Sequence, residues 1–246
     1  VVQKMNRCLS HRGPDNDGIW ENERLSLGHR RLSIIDLSSE SNQPFFSADQ
    51  RYVIVYNGEL YNYRELKLEL QRSQQGSEHI PYFFRTASDT EVVLAAFIRW
   101  GQKCLDYFNG MYAFAIYDTH LDKLLVARDR MGVKPLYYYY GDEGFLFSSE
   151  LRPILHSGTR SFSLNRDVLA EYALYQTVLA PNTIIKGIKM LLPGHFIEYE
   201  NGKPTVTQYH TFNRVGTQSS SWSYPEICAA VNERLSLSVQ RRLVAD

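Results

Sequence analysis

The stretch MYAFAIYDTHLDKLLVARDRMGVKPLYYYYGDEGFLFSS, Met111 to Ser149, breaks into four short runs rich in β-branched and aromatic residues: Met111–Asp118, Lys123–Ala127, Leu136–Tyr140 and Phe145–Ser149. Thr119–Asp122, the Gly132–Pro135 region and Gly141–Gly144 separate them, and residues of these types reverse the chain without extending a ladder. The spacing predicts an antiparallel meander. Blocks of helix on either side, with no regular alternation of strand and helix, argue for α+β layers and against a parallel doubly wound sheet. A stack of antiparallel sheets is the expected core.

Upstream, Val1, Met5, Cys8 and Leu9 recur at helical spacing until His11-Arg12-Gly13-Pro14-Asp15 breaks the pattern. Strands are expected at Leu25–Leu27 and Leu32–Ile35, flanking Gly28-His29-Arg30-Arg31, and at Arg51–Tyr56 before an Asn57-Gly58 turn. Helices are expected over about Tyr63–Gln71, capped by Asn62, and from the capping box Ser88-x-x-Glu91 to Gly101. Downstream, Asp167–Gln176 reads as a helix, and His195–Tyr199 with Pro204–Tyr209 as a hairpin over Asn201-Gly202. A first domain over 1–212 closes there. Residues 213–222 are expected as a linker, because Val215–Ser221 is rich in Ser, Thr, Gly and Gln. Residues 223–246 open a second domain, with Ile227, Val231, Leu235 and Val239 on one helical face. Both ends read as cut, since the chain starts without Met and its last helical pattern stops without a cap.

Lys plus Arg and Asp plus Glu both total 27, so the summed field selects neither nucleic acid nor an anionic membrane. Recognition must be local. The longest apolar runs fall well short of the roughly 18 residues a membrane span needs. Three scattered cysteines, Cys8, Cys104 and Cys228, point to reduced thiols in the cytoplasm and are each read as a small buried hydrophobe. The seven histidines show no metal-ligand spacing, so no metal is expected.

Several residues carry two readings. Asn57-Gly58-Glu59 is either an Asn-Gly turn or an oxyanion hole, in which an Asn amide and a Gly N–H donate to one developing negative charge. Arg31 is either a surface cation or a planar fork for a ligand carboxylate. Asp89 is either a first-turn acid favoured by the helix dipole or the anion for a ligand ammonium. Arg31 and Asp89 together would hold an α-amino acid. Arg128 to Tyr137 reads as a turn stabilised by charge pairs, Ser148-Ser149-Glu150 as a strand end running into a helix cap, and His11 and His29 as structural.

The motifs His11-Arg12-Gly13-Pro14-Asp15, Arg31-Leu32-Ser33-Ile34-Ile35-Asp36-Leu37, Asn57-Gly58-Glu59-Leu60-Tyr61-Asn62, Ser88-Asp89-Thr90-Glu91 and Arg128 to Tyr138 resemble glutamine-dependent asparagine synthetases in order and spacing. The resemblance covers roughly Leu9 to Tyr209 and resumes at Arg241–Asp246. It implies an N-terminal-nucleophile hydrolase fold, a four-layer αββα sandwich. A cysteine at the start of the mature chain attacks the side-chain amide of glutamine, with its own α-amino group as base, and ammonia travels to a C-terminal domain. By position, Arg31 binds the substrate carboxylate, Asn57 and Gly58 form the oxyanion hole, Asp89 and Glu59 contact the head group, and Leu32, Ile34 and Ile35 line the pocket through backbone groups. Glutamine and the chain's own synthetase domain are the implied partners, with a homodimer left open. ATP and Mg2+ belong to that synthetase domain, where aspartate is amidated. The cysteine motif lies upstream of Val1, so the chain as given is expected to hydrolyse no glutamine. A different acceptor, or a vestigial glutaminase serving as a structural module, are the alternatives.

Overall fold

A computed structural model of the protein describes residues 1–72, 81–212 and 222–243. In chain order it contains α1 (Val2–Cys8), β1 (Asn16–Glu21), β2 (Ser26–Arg31), β3 (Phe45–Phe46), β4 (Tyr52–Leu60), α2 (Tyr63–Gln71), α3 (Asp89–Trp100), α4 (Cys104–Tyr107), β5 (Gly110–Asp118), β6 (Lys123–Arg128), β7 (Tyr137–Gly141) and β8 (Gly144–Ser148). There follow α5 (Leu151–Leu155), α6 (Leu169–Tyr175), β9 (Ile188–Met190), β10 (His195–Glu200), β11 (Lys203–Gln208) and α7 (Tyr224–Gln240). Six strands form one antiparallel sheet in the order β11-β10-β6-β5-β4-β3. The strands β8-β7-β9 form a second and β1-β2 a third.

The period-2 alternation of the central strands explains the layering. In β4, Ile54 and Tyr56 pack with Val92, Val93 and Ala96 of α3 and Leu66 of α2. Val53 and Val55 point the other way, to Leu27 of β2, Leu136 and Leu191. Beyond the smaller sheets, Met5 of α1 and Ile154 of α5 close over Tyr139 and Ile188. Helix, sheet, sheet and helix follow one another, as the resemblance implies.

Three expectations change. The strand pairs β5–β6 and β7–β8 form as predicted, but they belong to different sheets, so the stretch is two hairpins and not one meander. The connection between them explains why. Asp129 is fully buried, and its carboxylate accepts N–H groups from Tyr112, Met131, Val133 and Lys134. Arg128 donates to the carbonyls of Lys134, Gly132 and Leu191. These charges satisfy backbone groups where the sequence suggested charge pairs, and they turn the chain from one sheet to the other.

The predicted strand at Leu32–Ile35 is a loop, and the strand before it includes the whole Gly28-His29-Arg30-Arg31 segment in β2. Arg31 donates to Ser38 O and Asn42 Oδ1 at 2.8 and 2.7 Å and to Asp36 O, wrapping residues 32–42 around its guanidinium. Leu32 and Ile34 are left exposed. The Asn57-Gly58 pair is not a turn either, because β4 stays in register with β5 from Tyr52↔Asp118 to Leu60↔Gly110. Glycine is required there for closeness: a Cβ on Gly58 would lie 2.4 Å from the Met111 carbonyl oxygen.

Smaller departures follow the same logic of tertiary contact over local signal. The side chain of Asn62 donates to Tyr107 O and accepts from Asn109 N, and so does not cap α2. Ser88 caps α3 through Thr90 N, whereas Glu91 accepts from Arg85 N and Thr86 N and does not close a capping box. Of the cysteines, Cys104 is buried, Cys8 half-buried and Cys228 exposed, which corrects the expectation that all three are core residues. The strands β1, β3 and β9 carry no clear sequence signal; β1 has polar Asn16, Asp17 and Glu21 in six residues. The Asn201-Gly202 hairpin forms, with both residues at positive φ. The predicted linker lies outside the described residues, apart from Phe212 before it and Trp222 at its end.

Candidate active site

At one end of the stacked sheets, the end of β2, the last third of β4 and the N-terminus of α3 surround a cavity of about 230 Å³. Arg31, Leu32, Ile34, Ile35, Asn57, Gly58, Glu59 and Asp89, the eight residues singled out from the sequence, all line it. They come from three separate stretches of chain. Their convergence is a property of the fold, since Tyr52–Leu60 must run to the end of the sheet and α3 must begin beside it.

The geometry of β4 sets out the donors. Tyr112 commits both backbone groups to Asp129, so Gly58, its partner across the ladder, is in a non-hydrogen-bonded pair. Backbone direction alternates along a strand, so the N–H groups of Tyr56, Gly58 and Leu60 point to the same free edge. Side chains take the outer two: Tyr56 N donates to Gln43 Oε1 at 2.6 Å and Leu60 N to Asp89 Oδ2 at 2.9 Å. The Gly58 N–H between them faces the edge with no acceptor among the described residues. The Asn57 side chain leaves the opposite face of the strand and reaches towards Ser149 Oγ, 3.5 Å away, a weak contact that a stronger acceptor displaces.

The charges around the cavity are built from burial. Asp89 is 5% exposed, and desolvation lifts its carboxyl to about 6 despite hydrogen bonds from Leu60 N and from Tyr56 Oη at 3.0 Å. Glu59 is raised as well, chiefly by burial, with Lys134 and Arg242 opposing. His29 is lowered to about 4 by burial and by the Arg31 charge, so its neutral ring donates Nε2–H to Tyr56 O at 3.0 Å. Lys134 is lowered by burial and by Arg12. Arg31 is largely committed to its own loop, which the sequence did not foretell.

Reading the sequence missed Gln43, which holds β4 from its edge, and Tyr56, whose hydroxyl bonds Asp89, and gave Lys134 and Ser149 to a turn and a strand end although both line the cavity. Gln43 sits in a loop with no periodicity, and its role depends on a contact 13 residues away. The four-residue separation of Tyr56 and Leu60 on one strand edge was the available clue. Among the described residues, no group of three or more His, Cys, Asp or Glu is placed to hold a metal ion, and no helix is long and apolar enough to cross a membrane.

A second cavity of about 290 Å³ adjoins the first. Its walls are β2 (Ser26–His29) and β8 (Phe145–Ser148), its floor Val55, Ala113 and Ala115 of the large sheet, and its roof Val2 and Met5 of α1. The strands β2 and β8 each have a ladder partner on one side and this slot on the other. Gly28, His29, Asn57 and Ser149 line both cavities, so the slot opens beside Asn57.

Helices outside the six-stranded sheet on one side and outside the two smaller sheets on the other, with the cavity at the sheet ends, give an αββα sandwich of the N-terminal-nucleophile hydrolase type. The fold is shared with glutamine phosphoribosylpyrophosphate amidotransferase from B. subtilis, at a TM-score of 0.53 and 23% identity over 76% of this chain and 35% of that one. Residues 1–210 match the family described as glutamine amidotransferase domain, and the chain belongs to that family. It is 34% identical over its whole length to asparagine synthetase [glutamine-hydrolyzing] 3 of Bacillus subtilis (strain 168), and covers 39% of that relative. It is also 34% identical over its whole length to amidase chyE of Penicillium rubens, of which it covers 36%. The chain thus spans less than two fifths of the length of either relative.

Proposed function

We propose that this chain binds glutamine and directs its hydrolysis to glutamate and ammonia, as the glutaminase domain of an asparagine-forming enzyme. The observation that carries the reading is the Gly58 N–H on the edge of β4 beside the Asn57 amide, above a buried carboxylate that is paired with no cation among the described residues. An amide carbonyl placed between the two donors develops its oxyanion where they converge. The α-ammonium of the substrate goes to Asp89, with Glu59 nearby, and its carboxylate to the donors of Arg31 that the loop leaves over.

None of the three cysteines lines the cavity. The nucleophile of this reading is a cysteine on a strand that precedes Val1 and lies in the slot between β2 and β8, joining the small sheets into one. Its thiolate attacks the amide carbon, its α-amino group takes and returns the proton, ammonia leaves, and water then cleaves the thioester. Residues 1–212 form the glutaminase domain, and α7 begins the synthetase domain, which binds ATP and Mg2+ and amidates aspartate. The free thiols fit a cytoplasmic enzyme, and a homodimer is its proposed assembly.

The test uses the protein with its synthetase domain, supplied with [15N-amide]glutamine, aspartate, ATP and Mg2+. Labelled asparagine is the expected product. Labelled ammonia without asparagine favours a different acceptor, a reading the equal identity to the amidase keeps in view. No labelled ammonia and no asparagine would leave a structural module.

The acid side of the profile follows from Asp89. Its folded-state value of about 6 lies above the ordinary 3.8. Ionisation therefore costs the fold up to about 3 kcal/mol as pH rises through this range, a cost absent below pH ~4 and complete above pH ~6. A ligand ammonium offsets that cost. Glutamine affinity is expected to rise about ten-fold per pH unit up to about pH 6 and then level off. Calorimetric titration between pH 5 and 8 checks this, and a flat profile contradicts it.

A further inference from the structure

Tyr56 stands immediately before the oxyanion donors, on the face of β4 opposite Asn57. Its ring is buried, and its hydroxyl donates to Asp89 Oδ2 at 3.0 Å. The same oxygen accepts Leu60 N–H at 2.9 Å. One carboxylate oxygen is therefore tied to both ends of the segment Tyr56–Leu60, and both oxyanion donors lie between those ends. We propose that Tyr56 is a positioning residue of the glutamine site, whose hydroxyl fixes the Asp89 carboxylate against the oxyanion segment so that capture of the substrate ammonium and alignment of the Asn57–Gly58 donors act through one group. This rests on the glutamine reading above.

The surroundings leave that task to the phenol. Asp89 takes its hydrogen bonds from the Tyr56 phenol and from the backbone amides of Leu60 and Thr90, and no cation among the described residues is paired with it. From β4, Glu59 adds like charge. From β2, His29 is neutral, and Arg31 is turned to the carbonyls of its own loop. Lys134, from the turn before β7, lies between Arg12 and Glu59 in its charge environment. On α3 itself, Glu91 is committed to Arg85 N and Thr86. Burial beside Asp89 pushes the Tyr56 phenol well above its ordinary range, so it remains a donor throughout the working pH range. The backbone of Tyr56 is held independently, by Gln43 and His29, so removing the hydroxyl leaves the strand anchored.

The test compares the protein with its Tyr56→Phe variant, titrating the Asp89 carboxyl by 13C NMR and L-glutamine binding by calorimetry over pH 5 to 8. Loss of one hydrogen bond to a charged group is expected to raise the Asp89 midpoint by about one pH unit. Glutamine affinity then falls about five-fold at pH 6 and hardly at all at pH 8. In an Asp89→Asn background, Tyr56→Phe should leave the pH dependence of binding unchanged. An unmoved Asp89 midpoint, or equal weakening at every pH, overturns this inference while leaving glutamine recognition intact. Failure of the unaltered protein to bind glutamine at any pH overturns the glutamine reading and this inference together.

Discussion

Replacing Asn57 with alanine is expected to slow glutamine turnover by about 100- to 1,000-fold while leaving the melting temperature nearly unchanged. The side chain leaves β4 towards the cavity, and its amide touches Ser149 Oγ at 3.5 Å, too long to contribute much to folding. The backbone of Asn57 continues to pair with Ala113 whatever side chain it carries. Folding therefore barely depends on this amide, whereas a developing oxyanion would lose one of two fixed donors. The loss should appear in kcat with KM close to that of the parent, because the ground-state carbonyl needs the donor far less than the tetrahedral intermediate does. Steady-state glutaminase kinetics and a thermal melt on the same preparation separate the two effects. Equal loss of stability and turnover would make Asn57 a structural residue.

Arg31→Ala should act in the opposite sense, chiefly on binding and on the fold of the neighbouring loop. Arg31 is 6% exposed, and its guanidinium donates to Ser38 O, Asp36 O and Asn42 Oδ1. Removing it takes three hydrogen bonds from a charged donor out of the loop, which costs about 3 kcal/mol. Residues 32–42 lose the group they are wrapped around, and the substrate carboxylate loses its cation. The expected result is a rise in glutamine KM of about 100-fold, with faster amide exchange across 32–42. Arg31→Lys should recover little of it, since an ammonium cannot reach three acceptors in different directions. Wild-type KM in either variant would remove Arg31 from the site.

The cavity residues that the sequence singled out owe this to local chemistry. Asn57-Gly58-Glu59 and Ser88-Asp89 stood out because their residue types suit a developing anion and a ligand ammonium, and their motif order matched a family. The four runs from Met111 to Ser149 were legible as strands because their composition suits a pleated surface. What separates them into two sheets is Asp129, whose four amide partners become visible once the chain has folded back on itself. The same limit hid the commitment of Arg31 to its own loop, and the parts of Gln43 and Tyr56. The parts of Gln43 and Tyr56 depend on which backbone groups face the free edge of β4, and that is decided by pairing with β5, more than 50 residues downstream. The Asn57-Gly58 pair taught the converse: a dipeptide with strong turn character stays in a strand when a neighbouring carbonyl 2.4 Å from an added Cβ demands glycine.

The central claim is that the edge of β4 presents Asn57 and Gly58 to the side-chain amide of glutamine held by Asp89 and Arg31. It is tested most directly by measuring glutamate release from L-glutamine by the protein carrying the proposed cysteine-bearing strand, side by side with its Asn57→Ala variant. The account predicts release by the parent and a loss of about 100-fold or more in the variant at unchanged melting temperature. Release that is absent in the correctly folded parent, or equal in both, would contradict it.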